Sequence, residues 1–483
     1  MLKKNLFYNS LLSVSQFIFP LVTFPFASRV MGPHGIGSVN FIDSFTQYFL
    51  LFAALGIPVY GIREVSKLRF RQEDLNKTFT EIFCIHLIST VAFAIIYLIM
   101  GLTIPALRVH FDLVIIGIAI MFFNVFTVEW FYIGMEQFSY VTKRTIIVRV
   151  ISIILLFVLL SWRADLKNYY LTFAAISVLT GISNFFILKK YVRLQFDGLH
   201  LKKHLKPLVI ILGTALAVSV YILLDTIILG FLQGETAVGY YSAAVRVIRI
   251  PFAFIGAIAA VIIPQVTRAY MEGNTAEIKT LLNKSFTFIC VIGFPITVGL
   301  LISSPFVINT FAGKNFHHSI VTLQILTPVI LLVGINSIFG SQLLTPFGKE
   351  KQLLICVLIG MLCSLILNLI LIPIFSFKGA AITNVATEII VTLLCFYFAR
   401  RHIKIEFDKK ILFQSLLGAA VFVPISILIK NLRLGYTITE LSVILACMLF
   451  YVCYFWFFVK NVYVENVRVL IRNKVFGFKE RFS

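Results

Sequence analysis

The sequence predicts an all-α polytopic membrane protein of about 14 transmembrane helices, in two six-helix lobes plus two extra C-terminal helices. Three observations carry that expectation. The 483 residues are 59% hydrophobic and only 13% charged, with mean hydropathy +0.97, where a soluble domain holds roughly 45–50% apolar and about 25% charged residues. Apolar runs of about 20 residues, the length that crosses a bilayer, recur along the chain with short loops between them. Lysine and arginine, finally, concentrate in every second loop. This composition excludes soluble enzymes, nucleic-acid binders and disordered proteins. The net charge of +21 therefore reads as a membrane-topology signal and not as a nucleic-acid footprint.

The elements follow in order. Spans are expected at 6–30, 38–60, 79–101, 112–134, 146–162, 168–188, 208–231, 238–265, 284–303, 319–344, 353–372, 379–399, 411–429 and 440–459. The first follows Lys3 and Lys4; its length, and the lack of an A-x-A-like site after it, favour a span over a signal peptide. Alternate loops starting from the N-terminus hold about 31 basic residues and the opposite set about 10, so both termini are expected in the cytoplasm. The polar stretch from Lys189 to Pro207 separates an N-terminal lobe (1–190) from a C-terminal lobe (208–400), with 191–207 as cytoplasmic linker and 401–483 as two extra helices and a tail. Prolines interrupt several spans, among them Pro20, Pro25, Pro251, Pro295, Pro328 and Pro424, and permit bends.

The two lobes carry a weak internal repeat. Gly32-Pro-His-Gly-Ile-Gly37 lies between spans one and two, and Gly234-Glu-Thr-Ala-Val-Gly239 lies between spans seven and eight, 202 residues on. Pro58 then Arg63 after the first motif has a counterpart in Pro264 then Arg268 after the second. Parallel repeats about an axis along the membrane normal are a common transporter plan.

Soluble-enzyme motifs are missing. Gly313-Lys314 lacks the upstream glycine of a P-loop, and no H-E-x-x-H or G-x-S-x-G occurs. The seven cysteines all sit in apolar stretches without a Cys-x-x-Cys pair, which fits buried free thiols. His317-His318 reads as a solvated loop. No metal, cofactor or enzymatic activity is expected.

Charges inside spans are the informative residues, because each costs about 2.5–3.5 kcal/mol at mid-bilayer and so faces a cavity or a partner. Asp43, Glu129, Asp225, Arg246, Arg249 and Glu388 lie within spans; Arg29 closes span one and Arg149 opens span five. Arg246 and Arg249 are three apart and share a helix face. Asp225 on the antiparallel neighbour could pair with Arg246, leaving Arg249 over. A net cationic site of that kind suits a diphosphate, which arginine grips bidentately. Asp43 plus the repeat offset falls one short of Arg246, so an acid in one half stands where the other half has a base; a bond to a nearby Ser or Gln is its plainer role. Glu388 has no base in its own helix. It is either a proton carrier or a carboxyl bonded to Asn384 one turn earlier.

These stretches carry a family likeness. Phe26-Ala-Ser-Arg-Val-Met-Gly32 with Gly35-Ile-Gly-Ser-Val-Asn-Phe41 resembles the opening of Wzx-type oligosaccharide repeat-unit flippases, as does Glu129-Trp-Phe-Tyr-Ile-Gly-Met-Glu-Gln-Phe-Ser-Tyr-Val-Thr142. Asp225-Thr-Ile-Ile-Leu-Gly230 and Val238-Gly-Tyr-Tyr-Ser-Ala-Ala-Val-Arg246 are similar to spans seven and eight of the polysaccharide-biosynthesis branch of the MOP exporter superfamily. The resemblance implies two lobes around a cationic cavity in the bacterial cytoplasmic membrane. It implies alternating-access translocation of undecaprenyl-diphosphate-linked oligosaccharide for O-antigen, capsule or exopolysaccharide, beside glycosyltransferases and a polymerase. Arg29, Arg149, Arg246 and Arg249 are the expected substrate-binding residues, and Asp43, Asp225 and Glu388 the expected ion-coupling residues. A lipid II or teichoic-acid flippase, a multidrug exporter of the same superfamily and a membrane-integral glycosyltransferase are the rival readings.

Overall fold

A computed structural model describes residues 2–432 and 435–459, and among them all regular structure is helical. Arg433 and the basic C-terminal residues from Lys460 on, which enter the topology expectation, lie outside the described residues. Twelve helical segments are long and apolar enough to cross a membrane. The first, Phe19–Leu68, is 50 residues long and takes in the second expected span and the latter half of the first, while Leu224–Gln233 supplies a shorter apolar segment where the seventh is expected. The count therefore agrees with about 14.

The chain divides into two compact units: Met1–Ala243 with Phe311–Phe316 and Ser364–Ala380, and Ala244–Thr310 with His317–Cys363 and Ala381–Ser483. In the first, α1 (Leu2–Ala54) is followed by α2 (Ile57–Leu68), α3 (Gln72–Thr103), the single turn α4 (Pro105–Arg108), α5 (Phe111–Thr127), the short α6 (Glu129–Gly134), α7 (Phe138–Trp162), α8 (Leu166–Leu188) and α9 (Lys202–Gln233). α10 (Glu235–Arg249) then leads into the second unit, which holds α11 (Phe252–Met271), α12 (Thr275–Phe311), α13 (Ser319–Leu326) and α14 (Val329–Phe339). The remaining helices are α15 (Glu350–Phe375), α16 (Phe377–Ala399), α17 (Lys409–Ala420), α18 (Phe422–Lys430) and α19 (Tyr436–Phe457).

Local chemistry explains the breaks. α1 is kinked at Gly32, whose φ of 65° and ψ of −178° suit glycine alone, and Pro33 follows it. The expected eighth span is split between Arg249 and Phe252, where Pro251 supplies no backbone N–H. Aspartates cap two helices: Asp165 accepts from the Lys167 N–H, and Asp408 accepts from the Lys410 and Ile411 N–H groups.

In the first unit α5 packs on α8, and α1 packs against α3, α5, α7 and α9. Aromatic side chains fill its interior towards one end: Phe79 stacks on Trp130 with centroids 5.4 Å apart, and Phe131 and Tyr132 are fully buried beside them. In the second unit α18 and α19 pack together and, with α12, line a half-open apolar groove of about 510 Å³ that includes Pro295, Gly299, Phe422, Cys447 and Tyr451.

Candidate transport site

Asp225 is the most deeply buried of the expected site carboxylates, 2% exposed. Its Oδ2 accepts from the Tyr241 hydroxyl of α10 at 2.7 Å, and its Oδ1 from the Asn368 amide of α15 at 2.6 Å. Ser364, one turn before Asn368 on the same helix face, reaches the same oxygen at 3.5 Å. A carboxylate buried away from water is tolerable only when such donors replace its hydration. The sequence marks this cluster only at Asp225 itself, because Asn368 lies some 140 residues away.

Asp43 of α1 is half-buried and sits at the end of a hydroxyl chain. Gln47 donates to it at 3.4 Å and the Tyr170 hydroxyl lies 3.5 Å away; Tyr170 donates to Thr46 at 3.0 Å, and Thr46 pairs with Tyr97 at 2.8 Å. Its neighbour is thus a glutamine, as the plainer reading allows, together with a tyrosine that sequence spacing does not reveal.

The third cluster joins α6 to α7. Val128, at φ 33°, turns the chain between α5 and α6 so that Glu129 opens the new helix. Glu129 accepts from Arg144 at 3.4 Å, and both act electrostatically on half-buried Arg149. Arg144 is buried at 7% exposure, although the hydropathy pattern assigns it to a loop.

Arg29 is exposed near the kink of α1 and donates to the Pro25 carbonyl at 2.6 Å. Arg246 (half-buried) and Arg249 (exposed) occupy the last turn of α10, where cations complement the helix dipole. Glu388 is buried on α16. Arg29, Arg149, Asp43 and Asp225 belong to the first unit; Arg246, Arg249 and Glu388 belong to the second.

Two polar clusters escaped the sequence reading. Glu81, fully buried on α3, takes Lys203 at 2.7 Å, His204 at 2.9 Å and the His200 N–H at 2.8 Å, while His204 also bonds Tyr60 at 2.7 Å. This cluster fastens the polar linker to α2 and α3. The other surrounds Glu235, the first residue of α10, which is bonded by His110, by Ser38 at 2.6 Å and by His34 at 3.3 Å.

The backbone at that second cluster reproduces the sequence repeat. Gly234 has φ 78° and ψ 178°, the conformation of Gly32 at the position 202 residues earlier. A Cβ at Gly37 would overlap the Glu235 carbonyl, and a Cβ at Gly239 would overlap the Pro33 carbonyl. Each motif thus seats its last glycine on the carbonyl that follows the other motif's first glycine. One turn on, Phe41 lies against Gly230 and meets Phe231 edge-on at 5.1 Å.

Helical spans with polar clusters buried inside them define a multi-pass membrane protein. Its fold is shared with a solved lipid II flippase MurJ in an inward closed conformation, at TM-score 0.68 and 17% identity over 90% of this chain and 97% of that one. More narrowly, the chain belongs to the polysaccharide biosynthesis protein family, whose model matches residues 2–270. It is 23% identical to a protein of Escherichia coli (strain K12) named "Putative O-antigen transporter", over 83% of this chain and 97% of that protein. It is 24% identical to the capsular polysaccharide biosynthesis protein CapF of Staphylococcus aureus, over 77% and 93%.

Proposed function

We propose that this protein is a flippase that carries undecaprenyl-diphosphate-linked oligosaccharide repeat units across the cytoplasmic membrane for surface polysaccharide synthesis. Family membership is the observation that carries the reading, supported by relatives named for O-antigen transport and capsular polysaccharide biosynthesis. The arginines suit the substrate's diphosphate, since guanidinium forks match phosphate oxygens in pairs. In this reading Arg29, Arg149, Arg246 and Arg249 bind the substrate, and Asp43, Asp225 and Glu388 respond to a coupling ion as the protein alternates access. Both termini face the cytoplasm.

Complementation of a flippase-null strain tests the proposal. The wild-type gene restores surface polymer. Arg246→Ala and Arg249→Ala each abolish it at equal expression, and Arg→Lys at either position restores part, because an ammonium keeps the charge and loses the bidentate grip. Normal polymer from both alanine variants removes these residues from the substrate path. Failure of the wild type to complement a panel of such strains overturns the function itself.

A further inference from the structure

The Glu235 cluster lies at the end of the first unit that the Lys/Arg bias turns outward, where the two repeat motifs meet. Three separate segments converge there. Glu235 opens α10; His34 and Ser38 come from α1 just past its Gly32 kink; His110 is the residue before α5. Glu235 Oε2 receives the Ser38 hydroxyl at 2.6 Å and lies 3.3 Å from His34 Nδ1, and Oε1 is bonded by His110 Nε2. The carboxylate is largely buried, with 16% of its side chain exposed; His110 is similarly enclosed at 10%, whereas His34 is open to solvent at 67%. His34 is thus the member of the cluster most open to solvent.

The neighbouring charged groups of these elements are engaged elsewhere or point into solvent. Asp112 of α5 pairs with Lys167 of α8 at 2.7 Å, and Arg29 of α1 donates to the Pro25 carbonyl. Arg108 of α4, Lys314 of the turn packed on α1, and Lys378 of α16 are exposed. Ionisable groups that act on Glu235 are His110 and His34.

We propose that Glu235, His110 and His34 form an outward-facing proton-binding site that locks the Gly37–Gly239 contact shut. Carboxylate and imidazolium stabilise each other when buried side by side, and histidine ordinarily titrates between pH 5 and 8. In the closed contact a protonated imidazole has the Glu235 carboxylate as its partner, and it loses that partner when the side chains separate. A conformation that binds one more proton than its alternative is favoured tenfold for each unit by which pH falls, within the titrating range. Outside acidity closes the contact and outside alkalinity opens it. The proton enters and leaves from one side, so the site sets a conformational balance and transports no charge. Glu235 itself fits this role: burial raises its pKa, but the bonds from His110 and Ser38 and the histidine charges outweigh burial and keep it below the ordinary carboxylate range. It remains the anion that the imidazolium needs. The proposal rests on the transporter reading, because a lock matters only if the contact opens.

The test uses the full chain in cells, with the seven native cysteines replaced and a single reporter, Ser44→Cys, added. Ser44 is buried two turns below Gly37 on the same helix face. A membrane-impermeant maleimide is applied at outside pH 6 and pH 8, and rates are normalised to Lys314→Cys, an exposed outer-loop control. The expected result is labelling of Ser44→Cys at least tenfold slower at pH 6 than at pH 8, with the pH ratio abolished by Glu235→Gln and by His110→Gln. A purely structural hydrogen bond predicts instead that these variants shift both rates and keep their ratio. A wild type without pH dependence, or a Glu235→Gln variant that retains it, overturns the proposal. If Glu235→Gln does not reach the membrane, His110→Gln decides alone. The wider reading fails differently: a labelled Lys314→Cys beside a Ser44→Cys that never labels at any pH shows a contact that does not open, and an unlabelled Lys314→Cys overturns the orientation and the lock together.

Discussion

Replacing Gly37 or Gly239 by alanine adds one methyl group and no other chemistry. Neither glycine has a left-handed φ, so alanine fits the backbone at both. In a helix interior alanine is in fact better than glycine by about 0.5–1 kcal/mol. Propensity alone therefore predicts a slight gain in stability. The steric effect has the opposite sign and is larger. The new methyl meets a main-chain carbonyl, Glu235 at one site and Pro33 at the other. A carbonyl within a packed helical segment cannot rotate aside as a side chain would. α1 and α10 must separate, at a cost near the upper end of the roughly 1–3 kcal/mol typical of overpacking. That range corresponds to about 5–150-fold in the closed-to-open ratio. Amide hydrogen exchange over residues 33–45 and 235–243 measures it directly. Protection in those segments should fall by about 100-fold in either variant, a value at the strong end of that range. The double variant should lose little more, because one separation relieves both overlaps and the two costs are not additive. Gly213→Ala, with open space around its Cβ, should leave both segments unchanged. Wild-type protection in either single variant, or strict additivity in the double, refutes the interlocked contact.

Three further outcomes follow from the buried polar clusters. Glu129→Gln leaves buried Arg144 with a neutral partner, whereas Arg144→Met leaves a glutamate whose side chain is 42% exposed and can hydrate; detergent melting should show the glutamate variant to be the less stable of the two. Asp225→Asn offers a single acceptor oxygen to Tyr241 and Asn368 and sets amide against amide, so it should lower the melting temperature, and adding Asn368→Asp should recover part of the loss by restoring donor to acceptor. Glu235 titrates below its usual range, so its contribution is full above the unfolded carboxyl value of about 4.3 and disappears as pH falls through the lowered folded value. Melting scans should therefore fall more steeply with acid for wild type than for Glu235→Gln below about pH 4.3, and parallel curves would remove Glu235 from the acid response.

Spans and repeat were legible in the sequence for one physical reason. Lipid imposes a length and a hydropathy on each segment, and a glycine-only backbone conformation imposes a residue. Both are local constraints. The partners of Asp225 and Glu81 follow no local rule, since Asn368 and His204 are brought to them by packing from distant segments. Arg144, next to Lys143 and Thr145, has the local hydropathy of a loop, and no local pattern places Glu129 against it.

Glu235 shows where the two kinds of information part. At an offset of 202, Gly32 matches Gly234 and Gly37 matches Gly239, and the backbone contact between the motifs is correspondingly two-sided. The side chains do not follow. Glu235 stands opposite Pro33, His34 opposite Thr236, and Ser38 opposite Tyr240. The symmetric part of the contact is made of main-chain carbonyls and missing side chains, and it carries no charge. Its charged part exists on one side only, built from residues that the repeat does not constrain. A symmetric contact of this kind closes equally well at any pH. Glu235, which has no counterpart in the first motif, with two histidines supplied by α1 and by the turn before α5, is what can make its closure depend on protons. Moving the acid to the other motif, as Pro33→Glu with Glu235→Pro, keeps the charge and the position in the repeat but takes the carboxylate away from His110. That exchange should preserve hydrogen-exchange protection of the glycine contact more than it preserves the pH ratio of Ser44→Cys labelling. Equal loss of both would mean that the glycine contact depends on the Glu235 cluster and is not an independent device.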